Sequence, residues 1–374
     1  MKFVVAPDKF KGSLSGFEFC EAVEEGLRMV FKNAEITKIP LADGGDGTID
    51  VVNTYINGQR IIIQAKDPFF RSMESSYVYS PGKQIAFIEM AEASGLKLLP
   101  KSEYDCMQAT SFGTGELIVD ALEKGAKEII LGIGGSATND GGMGMASALG
   151  YRFLDADNQE LEPIGKNMVA VCKIDNSEVR PRLKGARIKV ACDVTNPFYG
   201  EQGAAKIYAA QKGATTDEIE VLNAGLRNLA EVVQKEYGID LQQEKGAGAA
   251  GGTGGGAIAF LHGHLTSGID LIKELSEFDS KIVNADWIIT GEGQLDEQTL
   301  SGKTMGGVVQ SAKLKGIPVA AFCGAVDLSI EMQEEFGLSY VTSILRKVTS
   351  LEDAMNSSYD NLVNASYNFA KILG

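Results

Sequence analysis

The chain has 374 residues, 44% of them hydrophobic and 23% charged, proportions that exclude a disordered protein and allow two domains of about 150 residues each. Lys and Arg number 35 against 50 Asp and Glu, and the net charge of −15 argues against coating nucleic acid or an anionic membrane. An anionic substrate remains open, provided that lysines or a metal ion supply positive charge locally.

The first sixty residues predict a βαβα unit. Lys2–Ala6 is a short apolar strand ended by Pro7, Ser15-Gly-Phe-Glu18 is a capping box, and Phe17, Val23, Leu27 and Val30 follow at helical spacing. A strand over Ile36–Leu41 leads through a Gly-rich turn into a helix near Thr48–Tyr55. The style then changes. Arg60–Ala65, Ser76–Tyr79 and Gln84–Ile88 are β-prone runs separated by turns too short for helices, which predicts antiparallel hairpins and a domain boundary near residue 58. A helix over Gly115–Lys124 stops at Gly125, strands follow at Glu128–Leu131 and Arg187–Cys192, and Thr215-x-x-Glu218 caps a long helix that ends at Gly238. From about residue 265 the first style returns. Strands Asp286–Ile289, Pro318–Phe322 and Tyr340–Ile344 alternate with helices near Thr304–Leu314, Ser329–Phe336 and Ser350–Leu373. The expected fold is α/β: a Rossmann- or flavodoxin-like parallel-sheet domain built from residues 1–57 and 250–374, with a mixed α/β domain inserted over 58–249 and the active site in the cleft between them.

Other features narrow the chemistry. His262 and His264 are the only histidines, and no Gly-x-Ser-x-Gly elbow accompanies them, so a serine or cysteine hydrolase has little to build on. The five cysteines show no Cys-x-x-Cys spacing, which speaks against structural zinc and a disulfide framework. No apolar stretch approaches the ~18 residues that span a bilayer, and the run after Met1 is too short for a signal peptide. A cytoplasmic protein is expected.

Glycine is abundant, 44 residues or about 12% against a usual ~7%, and it gathers in loops after strands. Ligands of open parallel sheets bind beyond the carboxyl ends of the strands. After the first strand come Lys9, Lys11 and Ser13, two lysines and a Gly-Ser turn at a helix N-terminus, which suits an anion. After the second come Asp43 and Asp46, and after Asp286–Ile289 come Glu292 and Asp296, carboxylates on small-residue turns that suit a hard cation such as Mg²⁺. A cation and lysines beside a helix N-terminus form the equipment of phosphoryl transfer. Ser301-Gly-Lys-Thr304 looks like the end of a Walker A loop but lacks its leading glycine, Glu297 standing in its place. The stretch Gly132-Ile-Gly-Gly-Ser-Ala-Thr-Asn-Asp-Gly-Gly142 fits a dinucleotide fingerprint literally, with Asp155 near the ribose-binding distance, and keeps an NAD-dependent hydroxy-acid dehydrogenase in view. Its polar Ser136, Thr138 and Asn139 suit a small polar ligand or phosphate better. Gly246–Gly256 fits the same pattern without a preceding strand, which fits a hinge or close backbone packing as well as a nucleotide loop. A non-catalytic organic-acid sensor is a further alternative.

Taken together, Ala6–Ser13, Pro40–Thr48, Gly132–Gly142, Ala191-Cys-Asp-Val-Thr-Asn-Pro197, Gly246–Gly256 and Thr290-Gly-Glu-Gly-Gln-Leu-Asp296 resemble the bacterial type 1 glycerate kinase family over the whole chain. The resemblance implies a kinase that uses ATP and Mg²⁺ to phosphorylate D-glycerate, most members of this type giving 2-phosphoglycerate, with 3-phosphoglycerate as the alternative product. It implies small-molecule partners, no nucleic acid and no membrane, and leaves room for a homodimer. Residue chemistry and loop placement then assign roles. Lys9, helped by Lys11, neutralises the transferring phosphoryl group, and Ser13 completes that anion site. Asp43 and Asp46 ligate Mg²⁺, and Asp43 or Asp193 orients the acceptor hydroxyl as base. Gly134, Gly135, Ser136, Thr138, Asn139, Gly252 and Gly254 bind glycerate or phosphate, and Glu292 and Asp296 hold the metal or nucleotide.

Overall fold

Phe3, Val4 and Val5 are fully buried, so the opening apolar run is an interior strand rather than a sheet edge. The computed structural model describes the chain apart from Lys11, residues 43–47, Arg180 and residues 298–302, and apart from the side chains of Arg182 and Lys303. Contacts divide it into two units, Met1–Val51 with Gly268–Gly374, and Val52–Ser267.

In the first unit five strands form a wholly parallel sheet. Their spatial order is Tyr340–Ser343, Val319–Cys323, Trp287–Thr290, Lys2–Val5, Glu35–Lys38. Counted along the chain this is 2-1-3-4-5, so the winding reverses between Lys2–Val5 and Trp287–Thr290, the position where such sheets open a crevice. Helices Gly16–Arg28 and Ser358–Leu373 pack so closely that a Cβ on Gly26 would lie 2.4 Å from the Val363 carbonyl oxygen. Beneath them the Phe369 ring meets Trp287 and Phe322 edge-on at 5.0 and 5.6 Å. The sequence predicts one helix over Ser350–Leu373. Two are present, Leu351–Asn356 and Ser358–Leu373, because Ser357 leaves helical backbone angles at φ −102° and ψ 7°.

The second unit holds a six-stranded mixed sheet whose spatial order follows the chain: Gln59–Lys66, Ser72–Ser80, Ile85–Glu89, Glu128–Gly132, Arg187–Ala191, His264–Thr266. The first three strands pair antiparallel as hairpins and the last four run parallel. The long helix Thr216–Tyr237 carries the expected capping box and buries Leu222, Leu226, Leu229 and Val233. The sequence puts the second junction at 249/250, whereas the units divide at 267/268. Helix Thr253–Leu261 accounts for the difference, since nearly all of it is buried and Phe260 and Leu261 join the second unit's core.

Candidate active site

Parallel strands bring their carboxyl ends to one edge. In the second unit that edge carries Glu89, Gly132 and Ala191 in register on neighbouring strands. The loop after Gly132 decides what the edge can do. Gly134 and Gly135 are exposed, while Ser136 is 5% exposed and Thr138, Asn139 and Asp140 are wholly enclosed. Backbone hydrogen bonds tie this loop to the segment before the helix Phe112–Glu123: the Leu96 amide donates to the Gly135 carbonyl at 2.9 Å and the Ala137 amide to the Ser94 carbonyl at 2.8 Å. Asp140 anchors the far end. Its carboxylate accepts from the Ser111 amide and hydroxyl, both at 2.7 Å, and from the Gly142 and Gly144 amides, both at 3.1 Å. Burial raises this carboxyl above its ordinary range and the four donors oppose that rise.

Lys212 lies behind the loop. It closes the short turn Ala210–Lys212 and is 3% exposed, and its ammonium donates to the Ser136 hydroxyl oxygen and to the Thr138 carbonyl, both at 2.7 Å. Burial pulls its pKa down to about 8, against favourable charge interactions with Cys106 and Asp140. Nothing in the sequence singled this residue out, because a lysine before a glycine at a helix end is an ordinary solvated cap. Ser111 carries no sequence signal either, since its partner Asp140 lies 29 positions away. Both act through partners far away along the chain.

The remaining expectations for this unit divide. Asp193 follows strand Arg187–Ala191 at the same edge and is half-buried, and it has electrostatic or hydrogen-bond partners of its own. Ser136 faces Lys212. Thr138 and Asn139 are enclosed, their side-chain polar atoms find no protein partner among the described residues, and any direct contact with a ligand requires the loop to open. Gly252 and Gly254 are accounted for by packing: a Cβ would lie 2.9 Å from Gly141 Cα at the first and 2.5 Å from the Gly246 carbonyl at the second. The dinucleotide alternative fails here. Its fingerprint must open a helix, yet the segment after Gly132 is a clamped loop and the next helix begins only at Met143. Asp155 sits in a turn, where it accepts from the amides of Asp157 and Gln159 at 2.9 and 2.8 Å.

The first unit contributes loops around its winding reversal. Thr290 donates its hydroxyl to the Ala6 carbonyl at 2.8 Å and the Asp8 amide donates to the Gly291 carbonyl at 3.0 Å, so the loop bearing Lys9 and the loop bearing Glu292 and Asp296 are stitched side by side. Gln294–Leu295 then pairs with Ala325–Val326, which fixes the second loop. Lys9 is half-buried, and its amide donates to Asp8 Oδ1 at 2.7 Å. Ser13 is drawn elsewhere, since its hydroxyl donates to the Met355 carbonyl at 3.0 Å and meets Ser358. The helix N-terminus expected to receive an anion is already occupied by its own capping carboxylate, as Glu18 accepts from the Ser15 amide at 2.8 Å. Lys11, Asp43, Asp46, Ser301 and Gly302 lie outside the described residues. Among the described residues no group of three or more His, Cys, Asp and Glu side chains is arranged to hold a metal ion. Glu292 and Asp296 supply two hard oxygen donors, chemistry that fits Mg²⁺ but does not complete a site without further ligands.

Comparison with known proteins points in one direction. The model of a family described as the glycerate kinase family matches residues 3–374. A glycerate kinase of Halalkalibacterium halodurans is 41% identical over 99% of this chain and 97% of its own. A glycerate 2-kinase of Escherichia coli K12 is also 41% identical, over 100% of this chain and 98% of its own. A crystal structure from Salmonella typhimurium LT2, solved under the provisional name glycerate kinase 2, superposes with a TM-score of 0.89 at 39% identity, covering 100% of this chain and 98% of that one. With a match that spans both units and every loop described above, the chain belongs to the glycerate kinase family.

Proposed function

We propose that the protein transfers the γ-phosphoryl group of ATP to D-glycerate, giving 2-phosphoglycerate and ADP. The observation that carries this is the clamped loop Gly132–Asp140 at the carboxyl edge beside Asp193, backed by a buried ammonium, in a chain of this family throughout its length. The name glycerate 2-kinase given to the E. coli relative supports the 2-hydroxyl over the 3-hydroxyl. An organic-acid sensor would leave the lysine and carboxylate loops of the first unit without a purpose.

In this reading the first unit is a Rossmann-like domain, which its parallel sheet and 2-1-3-4-5 order support. Lys9, with Lys11, neutralises charge on the transferring phosphoryl group, and Asp193 or Asp43 orients the acceptor hydroxyl. Mg²⁺ would be held by Glu292 and Asp296 together with Asp43 and Asp46, and when bound it supplies charge neutralisation at the phosphates. The roles of Lys11, Asp43 and Asp46 rest on the sequence alone. Five free cysteines suit a reducing compartment, which supports a cytoplasmic location, and no described helix is long and apolar enough to cross a membrane.

The test is a coupled assay with D-glycerate, ATP and Mg²⁺, read through enolase and pyruvate kinase with phosphoglycerate mutase omitted. The expected result is immediate signal. Signal only after the mutase is added would assign the 3-hydroxyl instead, and silence with no ADP release would overturn the activity.

A further inference from the structure

A hydroxyl group has one proton to give. Ser136 Oγ accepts from the Lys212 ammonium at 2.7 Å, so its own proton must go to some other acceptor, and no described residue takes it. The Gly135 carbonyl already accepts from the Leu96 amide, and the Thr138 carbonyl from Lys212. Toward solvent lie the exposed backbones of Gly134 and Gly135. Gly135 adopts φ +70°, and a Cβ placed on Gly134 would meet nothing within 4 Å. The neighbouring Gly135 and Thr138 carbonyls thus each already accept one hydrogen bond, and the bare backbone of Gly134 and Gly135 lies exposed next to Ser136 in the chain.

We propose that Lys212 is a positioning residue that acts through Ser136, aiming and polarising its O–H toward an oxyanion of the substrates, a carboxylate or a phosphate oxygen, held over Gly134 and Gly135. This rests on the activity assigned above. The Lys212 ammonium spends two of its protons on the loop, and a hydroxyl that accepts from an ammonium becomes a stronger donor, while a hydrogen bond to a charged partner gains more than a neutral one. The same arrangement explains why a charge is kept in the interior. The burial-lowered pKa of about 8 still keeps the ammonium mostly protonated near neutrality.

The experiment is calorimetric titration of the full chain with D-glycerate and, separately, with a non-hydrolysable ATP analogue that keeps the γ-phosphate, using the unaltered protein, Ser136→Ala, Lys212→Met and the double variant. Ser136→Ala should weaken one of the two ligands by at least ~10-fold and leave the other within about twofold, which also identifies the source of the oxyanion. Lys212→Met should weaken the same ligand, and in the Ser136→Ala background it should add little further loss. Unchanged affinity for both ligands in Ser136→Ala would overturn the inference, as would equal weakening of both. Ser136→Ala decides the matter alone if circular dichroism shows that Lys212→Met does not fold. An unaltered protein with no affinity for D-glycerate overturns the assigned activity and this inference with it, whereas affinities fully retained by Ser136→Ala overturn only the inference.

Discussion

Lys212 pays for its position in a way that pH can expose. Its pKa falls from 10.5 to about 8 on folding, chiefly through burial. Below pH 8 both folded and unfolded chains carry the proton and the burial penalty is fully present, on the order of 3 kcal/mol. As pH climbs from about 8 towards 10.5 the folded state sheds the proton first, and this group's contribution to stability rises. Oxyanion affinity should move the opposite way, with the apparent Kd or KM for the affected substrate rising above pH 8. The groups facing Lys212 are Cys106, whose buried thiol is pushed up to about 11, and Asp140. Lys212→Met isolates the lysine from both: its difference in melting temperature from the unaltered protein should change across pH 8–10, and its substrate affinity should lose this rise. Identical pH profiles for the two proteins would dismiss the lysine as the titrating group. Lys9 is a different case, half-buried at the end of the first strand. If it supplies charge to the phosphoryl group in flight, Lys9→Ala should lower kcat by at least ~100-fold with an unchanged circular dichroism spectrum, and near-normal turnover would remove it from the mechanism. Lys9 stands out in the sequence as a candidate because Lys11 and a Gly-Ser turn follow it. Lys212 was not, because its partners stand 74 and 76 positions away.

At the scale of elements, the two Gly-rich segments turn out to serve each other. The Gly141 amide donates to the Gly251 carbonyl at 3.1 Å, and a Cβ on Gly256 would lie 2.4 Å from the Gly141 carbonyl oxygen. Gly251 is the most constrained member of the pair, with φ +67° and a hypothetical Cβ 2.1 Å from the Thr138 carbonyl oxygen. Gly251→Ala should therefore destabilise by about 3 kcal/mol or more, a fall in melting temperature of roughly 6–12 °C. Gly134→Ala, with open space around it, should melt within about 2 °C of the unaltered protein. Differential scanning calorimetry separates the two, and equal melting temperatures would refute this account of the glycines. Capping boxes were readable from the chain because the interacting groups are three residues apart. Glycine spacing was not decisive, since it marks a close backbone approach without saying whether a ligand or another segment makes it.

For the molecule as a whole, the alternation of strand and helix at both ends of the chain was enough to predict a parallel sheet assembled from distant halves, and the hairpin style between them predicted the antiparallel strands of the second unit. The position of the second junction needed tertiary information, because the apolar, glycine-rich helix Thr253–Leu261 carries no local sign of the core it joins. The assembly also sets an order on synthesis. The strand Lys2–Val5 has Trp287–Thr290 as one neighbour, and the Lys2 amide donates to Asp286 Oδ2 at 2.7 Å across 284 positions. At about 5–20 residues per second a ribosome needs roughly 15–60 s to span that gap. Throughout that interval the strand Lys2–Val5 lacks its neighbour on one side, while in the six-stranded sheet of the second unit each strand lies beside the previous strand of that sheet and the sheet can be completed as it emerges. The first part of the polypeptide to be born is thus completed among the last, and a nascent chain stalled before Trp287 would present to the cell's chaperones a sheet with one side of its first strand unpaired.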